Sequence, residues 1–239
     1  MQKIGLIGGL GPESTLDYYR RITGFFQRRS RGLATPDILI YSANLAEAFE
    51  LMGARNWQGL ADWLVDKVER LHRAGADFAA ITANSPHIVF DQVAARSPLP
   101  LLSIVDATLA GARRAGLTRV GLLGTRFTME TNFFGSRFAQ EGIEVVVPGP
   151  ADQAYIQQKL EREIELGVFL DETRRGLLQI MDPMARTQGI QGVILGCTEL
   201  PLILHPGDTN LPLLNTTELH VAALCERCLG GAPADLPIL

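Results

Sequence analysis

The 239-residue sequence contains only three lysines, Lys3, Lys67 and Lys159, and all three fall inside strand or amphipathic-helix patterns. A pyridoxal phosphate Schiff base needs a lysine in the site, so the loops of this chain exclude that chemistry. Cysteine is equally sparse, at Cys197, Cys225 and Cys228. An odd, low count fits a reducing compartment and leaves each thiol to be explained singly. No apolar run approaches the roughly 18 residues of a membrane span. Met1-Gln2-Lys3 leads into a short Gly-rich apolar stretch that reads as a first strand, not a signal peptide, so a cytoplasmic protein is expected. The 22 basic residues are scattered, and no basic stripe invites nucleic acid. There is no P-loop, and His72, His205 and His220 have no ligand spacing with one another, so no metal or other cofactor is expected.

What is present is alternation. Ile4–Ile7, Ile38–Tyr41, Phe78–Ile81 and Leu101–Val105 are short apolar runs bounded by Gly, Pro or Asn. Helical patterns lie between them, such as Trp57–Ala74 with apolar residues at 60, 63, 64, 68 and 71. Strand and helix in alternation predict an α/β fold with parallel sheets. The second half then repeats the first. Lys3–Gly9 matches Arg119–Thr125 at an offset of 116, which also sets Thr15 on Thr131. Ala79–Ala83 matches Val193–Cys197 at offset 114, with Ala83 on Cys197, and Leu99–Ser103 matches Leu211–Asn215 at offset 112. Two similar lobes follow, with approximate boundaries of 1–98 plus 211–239 and of 99–210. Open α/β sheets bind ligands beyond the carboxyl ends of their strands. The loops Gly8–Thr15, Thr82–His87, Gly124–Thr131 and Gly196–Leu200 are therefore the candidates, facing a cleft between the lobes.

Each loop carries a specific signal beside a plainer one. In Gly8-Gly-Leu-Gly-Pro-Glu-Ser-Thr, Gly9 and Gly11 let the backbone approach a small carboxylate at a helix start, or simply make a tight strand–helix turn. A dinucleotide site fails, because the third Gly of that motif is Ser14 and no acid ends the second strand. In Thr82-Ala-Asn-Ser-Pro-His87, Asn84 and Ser85 offer donors to a carboxylate or amine. His87 is either an acid–base group or a histidine satisfied at a helix start. Gly196-Cys-Thr-Glu-Leu places Cys197 at a turn opening a helix, where N–H groups and the dipole can lower a thiol pKa, although a buried structural Cys has the same pattern. Cys225-x-x-Cys228, in the predicted helix Glu218–Leu229, has redox spacing but no partner pair and no preceding strand, which favours packing thiols.

Together the three motifs resemble the aspartate/glutamate racemase superfamily, and its aspartate racemase branch in particular. The resemblance runs from Lys3 to about Val221. It implies a two-lobed α/β enzyme related by a pseudo-twofold, commonly a homodimer, acting without a cofactor on an amino acid. In the family two cysteines exchange the Cα proton from opposite faces. This chain departs at the first of them, which is Ala83; only Cys197 remains, a single-cysteine variant. Proton return on the other face would then need water, Thr82, Ser85 or His87. The α-carboxylate and amine would be held by Gly9, Gly11, Asn84, Ser85, Thr125 and Thr198, with His87 and Glu199 orienting or tuning the thiol. The regions where the family carries basic residues for a distal carboxylate read Leu45–Met52 and Ala151–Tyr155, with no Lys or Arg. Phe49, Met52, Arg55 and Tyr155 would then line a pocket for a neutral or larger side chain, unless Arg55 or Arg126 swings in. A single-thiol decarboxylase or isomerase of a small dicarboxylate, and a noncatalytic binder, are the alternatives.

Overall fold

The computed structural model describes residues 1–30 and 33–231. The chain divides into two compact units, one of residues 1–107 with 217–239 and one of residues 108–216. Of the expected 211–239 segment, residues 232–239 lie outside the described residues.

The first unit opens with β1 (Ile4–Gly8) and α1 (Pro12–Ser30), followed by β2 (Ile38–Ser42), α2 (Leu45–Gly53) and α3 (Trp57–Arg73). After these come β3 (Phe78–Ile81), a 3₁₀ turn at Ser85–Val89, α4 (Phe90–Ala94) and β4 (Leu101–Leu102). The sheet order is β2-β1-β3-β4 and every pairing is parallel. Strand alternation sorts the core into two layers. Ile4 and Leu6 join Tyr18, Ile22 and Phe26 of α1, with Leu224 and Cys225 of the last helix. Ile7 and Ile81 meet Leu60, Leu64, Val68 and Leu71 of α3 on the other face. Those α3 positions belong to the 3.6-residue stripe legible in the sequence, and Asn56 caps the helix by accepting from Gly59 N at 2.9 Å.

The expected strand Leu101–Val105 is shorter than predicted. It stops at Leu102, and α5 (Ile104–Arg114) begins two residues on. Ser103 is the reason: its Oγ accepts from Val105 N at 3.1 Å and Asp106 N at 3.2 Å, a helix cap set inside an apolar run.

The second unit contains β5 (Arg119–Leu123), α6 (Arg126–Glu130), α7 (Phe133–Ala139), β6 (Glu144–Val146) and α8 (Pro150–Arg162). A 3₁₀ turn at Ile164–Leu166, α9 (Asp171–Gln188), β7 (Val193–Leu195), a 3₁₀ turn at Leu200–Leu202 and β8 (Leu213–Asn215) complete it, and α10 (Thr216–Cys228) runs into the first unit. Its sheet order is β6-β5-β7-β8, again all parallel.

The repeat is visible in the strand registers. Ile7 pairs with Ile81, and Leu123 with Leu195. Ala80 pairs with Leu102, and Ile194 with Leu214. Each second pair is the first carried forward by the sequence offsets, so Ala83 and Cys197 stand equally far past the ends of equivalent strands. The unit boundaries fall at 107/108 and 216/217, later than 98/99 and 210/211, because β4 belongs to the first sheet and β8 to the second. The Thr15–Thr131 match is not kept in space. A Cβ on Gly8 would meet Thr15 Cγ2 at 2.5 Å, whereas in the second unit the threonine against Gly124 is Thr128, at 3.3 Å. The loop after β5 is shorter, so its helix starts sooner. Among the described residues no helix is long and apolar enough to cross a membrane.

Candidate active site

Gly196 follows β7 where no side chain fits: a Cβ there would lie 2.7 Å from Leu122 Cδ1 and 3.0 Å from Leu123 O. This close approach turns the chain and sets Cys197 at the strand end, 7% exposed and packed in the apolar cluster with Ile164, Leu200 and Leu195. The thiol donates to Glu199 Oε2 at 2.9 Å, and Thr198 Oγ1 donates to the same oxygen at 2.8 Å. The expected lowering of the thiol pKa is not found. Burial pushes the Cys197 thiol up, and the Glu199 and Glu165 carboxylates push it further. The turn that follows is a three-residue 3₁₀ segment, too short to supply a helix dipole against those effects. At rest Cys197 is therefore a protonated thiol with its proton directed at the Glu199 carboxylate.

The corresponding loop of the first unit is built largely from its own hydrogen bonds. Thr82 is fully buried and donates to Ile7 O at 3.1 Å. Its carbonyl accepts from Ser14 Oγ at 2.8 Å. Ile104 N donates to His87 Nε2 at 3.2 Å, so Nδ1 carries the proton and donates to Ala83 O at 2.8 Å. Burial pushes the His87 pKa down to about 4. A neutral ring with both nitrogens held by backbone has neither a proton nor a lone pair to offer a substrate. The acid–base reading of His87 is thus corrected to a structural one, and the hydroxyl of Thr82 is likewise committed. Ala83 and Asn84 are buried at this strand end and Ser85 is half-buried.

Gly9 adopts φ 79°, and a Cβ there would meet Ala43 O at 2.3 Å. Its N–H is not open to a carboxylate, because it donates to Thr15 Oγ1 at 2.9 Å. Gly11, at φ 120°, presents its carbonyl to Thr15 N at 3.2 Å. The glycine loop is therefore a tight turn locked by Thr15. Gly9→Ala is expected to cost about 3 kcal/mol or more from left-handed strain plus the clash, measured by urea unfolding; an unchanged midpoint would refute this geometry. Thr125 caps α6, accepting from Thr128 N at 3.2 Å.

Of the four expected pocket residues, Phe49, Met52 and Arg55 belong to the first unit and Tyr155 to the second. Phe49 is 59% exposed on α2, and Met52 packs against the first unit's core. Arg55 is exposed in the loop after α2, with φ 51°. Tyr155 packs its hydroxyl against α9, where a Cβ on Gly176 would lie 2.0 Å from it. Tyr155 and Arg126 do share a groove of about 590 Å³ with Gln157 and Arg162, and no residue of the Cys197 loop lines it.

Sequence reasoning missed Glu165, whose carboxyl is raised by burial and by Glu199 and Glu161. Nothing in the pattern marks it, since it is one of several acids around the end of α8. It also missed His220, which accepts from Tyr18 Oη at 2.8 Å and donates through Nε2 to Leu102 O at 3.1 Å. Cys225 and Cys228 are buried, with Cys225 pushed up to about 12 by burial and Cys228 donating to Gln2 O at 3.0 Å. Both are packing thiols. Among the described residues no group of three His, Cys, Asp or Glu side chains could hold a metal.

Comparison with known proteins matches residues 7–224 to the family described as Asp/Glu/Hydantoin racemase. The broad specificity amino-acid racemase RacX of Bacillus subtilis (strain 168) is 22% identical over 217 residues, covering 90% of this chain and 92% of that protein. A candidate Asp/Glu racemase from Yersinia pestis superposes with a TM-score of 0.89 at 35% identity, covering 96% of this chain and 100% of that one. An aspartate racemase homologue from Pyrococcus horikoshii OT3 gives 0.87 at 34%, with the same coverage.

Proposed function

The chain belongs to the Asp/Glu/hydantoin racemase family and is an isomerase, and from that premise we propose that it exchanges the Cα proton of an amino acid, without a cofactor, through Cys197. The observation that carries this reading is the 2.9 Å contact between Cys197 Sγ and Glu199 Oε2. A protonated thiol cannot remove a proton. In this reading Glu199 accepts the thiol proton, leaving a thiolate. The thiolate takes the Cα proton, and the electron pair moves into the substrate carboxylate to give an enediolate. Donors on that carboxylate stabilise the developing charge; the Thr198 hydroxyl is not one of them, because it donates to Glu199 Oε2 at 2.8 Å. In the reverse direction the Cys197 thiol protonates the enediolate and Glu199 returns its proton to sulfur.

Inversion needs a proton on the other face. Ala83, the repeat equivalent of Cys197, has none to give, and Thr82 and His87 are committed to the backbone. Water is the proton source left on that face. The two faces are then served unequally, and one enantiomer should exchange its Cα proton faster than the other.

Proton NMR in D₂O tests the reading. Wild-type protein incubated with separate L- and D-amino acids should remove the Cα signal, and Cys197→Ser should not. Loss of signal that persists in Cys197→Ser would overturn the role of the thiol. The missing second thiol also fits a decarboxylase, in which one thiol protonates a carbanion after carbon dioxide leaves; carbon dioxide release from substituted malonates, with no amino-acid exchange, would favour it.

A further inference from the structure

Gly196, the residue that carries Cys197 past the end of β7, is packed by Thr128 of α6. A Cβ on Gly196 would lie 3.3 Å from Thr128 Cγ2. A Cβ on Gly124 would lie 3.3 Å from Thr128 Cβ and 3.1 Å from Gly196 O. The two glycines therefore leave the space that Thr128 fills. Gly196 N also donates to Leu123 O at 2.6 Å, so a hydrogen bond and a methyl contact together hold the residue before the thiol. Thr128 is itself anchored. It is fully buried, its N–H donates to Thr125 Oγ1 at 3.2 Å, and the two hydroxyls lie 3.0 Å apart. Its neighbour Met129 packs in the apolar cluster that contains Leu123 and Cys197, and Arg126 N donates to Gln157 Oε1 of α8 at 2.6 Å. A β-branched side chain has a restricted χ1, which makes it a stiff support.

The first unit builds the same contact differently. Thr15 fills the space over Gly8, and its Oγ1 lies 3.4 Å from Thr82 Oγ1. Thr82 is the repeat equivalent of Gly196, at the offset of 114 that sets Ala83 on Cys197. Side chain meets side chain where the alanine stands, and a threonine methyl meets backbone where the thiol stands. We propose that Thr128 is a positioning residue for the reaction: its γ-methyl fixes Gly196 and thereby holds Cys197 Sγ at its 2.9 Å contact with Glu199 Oε2. It acts through Gly196. A close-packed interior transmits a lost methyl to its neighbours, and a small displacement of a reacting group slows proton transfer. The inference rests on Cys197 being the acid–base thiol.

Three variants test it. Thr128→Ser keeps the hydroxyl and loses the methyl, Thr128→Val keeps the methyl and loses the hydroxyl, and Thr128→Ala loses both. Two quantities are read: kcat and KM for Cα-proton exchange in D₂O, and the pH midpoint of iodoacetamide alkylation followed on the peptide that contains Cys197. Thr128→Ser and Thr128→Ala should lower kcat about tenfold or more and change KM less than about threefold. Their alkylation midpoint should move to lower pH, because the sulfur leaves the carboxylate that raises it and gains water. Thr128→Val should stay within about threefold of wild type in kcat and keep its midpoint. A loss of stability alone lowers the folded fraction, read by circular dichroism, and leaves the midpoint of the folded protein in place. Wild-type kcat and midpoint in Thr128→Ser, or a folded Thr128→Val as impaired as Thr128→Ala, overturns the role of the methyl and leaves the racemase reading standing. No exchange of any amino acid by the wild-type protein overturns the racemase reading, and the alkylation midpoints then still decide whether Thr128 sets the sulfur.

Discussion

Glu199→Gln is expected to slow Cα-proton exchange about 10²–10⁴-fold while making Cys197 react faster with iodoacetamide at neutral pH. The two effects run in opposite directions because Glu199 does two things. Its carboxylate accepts the thiol hydrogen bond at 2.9 Å, and its negative charge holds the Cys197 pKa above the ordinary thiol value. Glutamine keeps the shape and a carbonyl acceptor but cannot take a proton, so the thiolate is no longer delivered by transfer inside the site. It also removes a charge that opposes ionisation, so the alkylation midpoint moves to lower pH. Burial remains and keeps the thiol above its usual value. Glu199→Asp retains a proton acceptor and should recover part of the exchange. Slower alkylation in Glu199→Gln would show that the carboxylate does not raise the thiol, and exchange at the wild-type rate would show that it does not accept the proton.

The second large effect concerns stability in acid. His87 and His220 are buried and neutral, with burial lowering His87 to about 4 and His220 to about 3 from an ordinary 6.5. Their rings meet edge to face at 6.3 Å, so protonating one opposes protonating the other. Together they clamp the end of β4: His220 binds Leu102 O and His87 receives Ile104 N. Unfolded, both rings take up protons below about pH 6.5; folded, they resist. Their stabilisation is therefore complete above pH 6.5 and is lost as pH falls from there toward 4 and then 3. For His87 alone the gap between 6.5 and about 4 corresponds to about 3 kcal/mol at its acid limit. Urea titrations at pH 7.5, 6 and 5 should show a falling midpoint. His220→Leu should cost about 3 kcal/mol at pH 7.5, because Tyr18 Oη and Leu102 O lose their partner in the core, and it should flatten the pH dependence. A midpoint independent of pH between 7.5 and 5 would mean that neither ring resists protonation in the folded protein.

The fold was legible wherever a segment's environment is set by its own pattern. Both central strand pairs are buried on two faces, so they read as short continuous apolar runs. α3 carries one apolar stripe and packs on one face of the first sheet. The internal repeat was legible because equal strand orders preserve equal register, and Cys197 stood out because Gly196 before it and Thr198-Glu199 after it form a short motif. β4 was overextended because Ser103, a cap acting through its side chain, interrupts no hydrophobic pattern.

Tertiary structure decided what each polar group is free to do. A histidine, a threonine or a glycine N–H looks equally available in any sequence, and only its partners distinguish a site from a staple. Distant backbone claims His87 and Thr82, through Ile104 and Ile7, while Thr15 closes on Gly9 within the loop. The state of Cys197 follows mainly from desolvation, with the negative charges of Glu199 and Glu165 adding to it, and desolvation is a property of the packed interior with no local signature. The sequence by itself determined the alternation of strands and helices, the repeat, the lone thiol of the motif loops and the alanine at its equivalent position, because these depend on residue type and spacing. The protonation of that thiol and the carboxylate that receives its hydrogen bond were decided only when the chain folded, because they depend on burial and on charges from Glu199 in its own turn and Glu165 some thirty residues away in sequence.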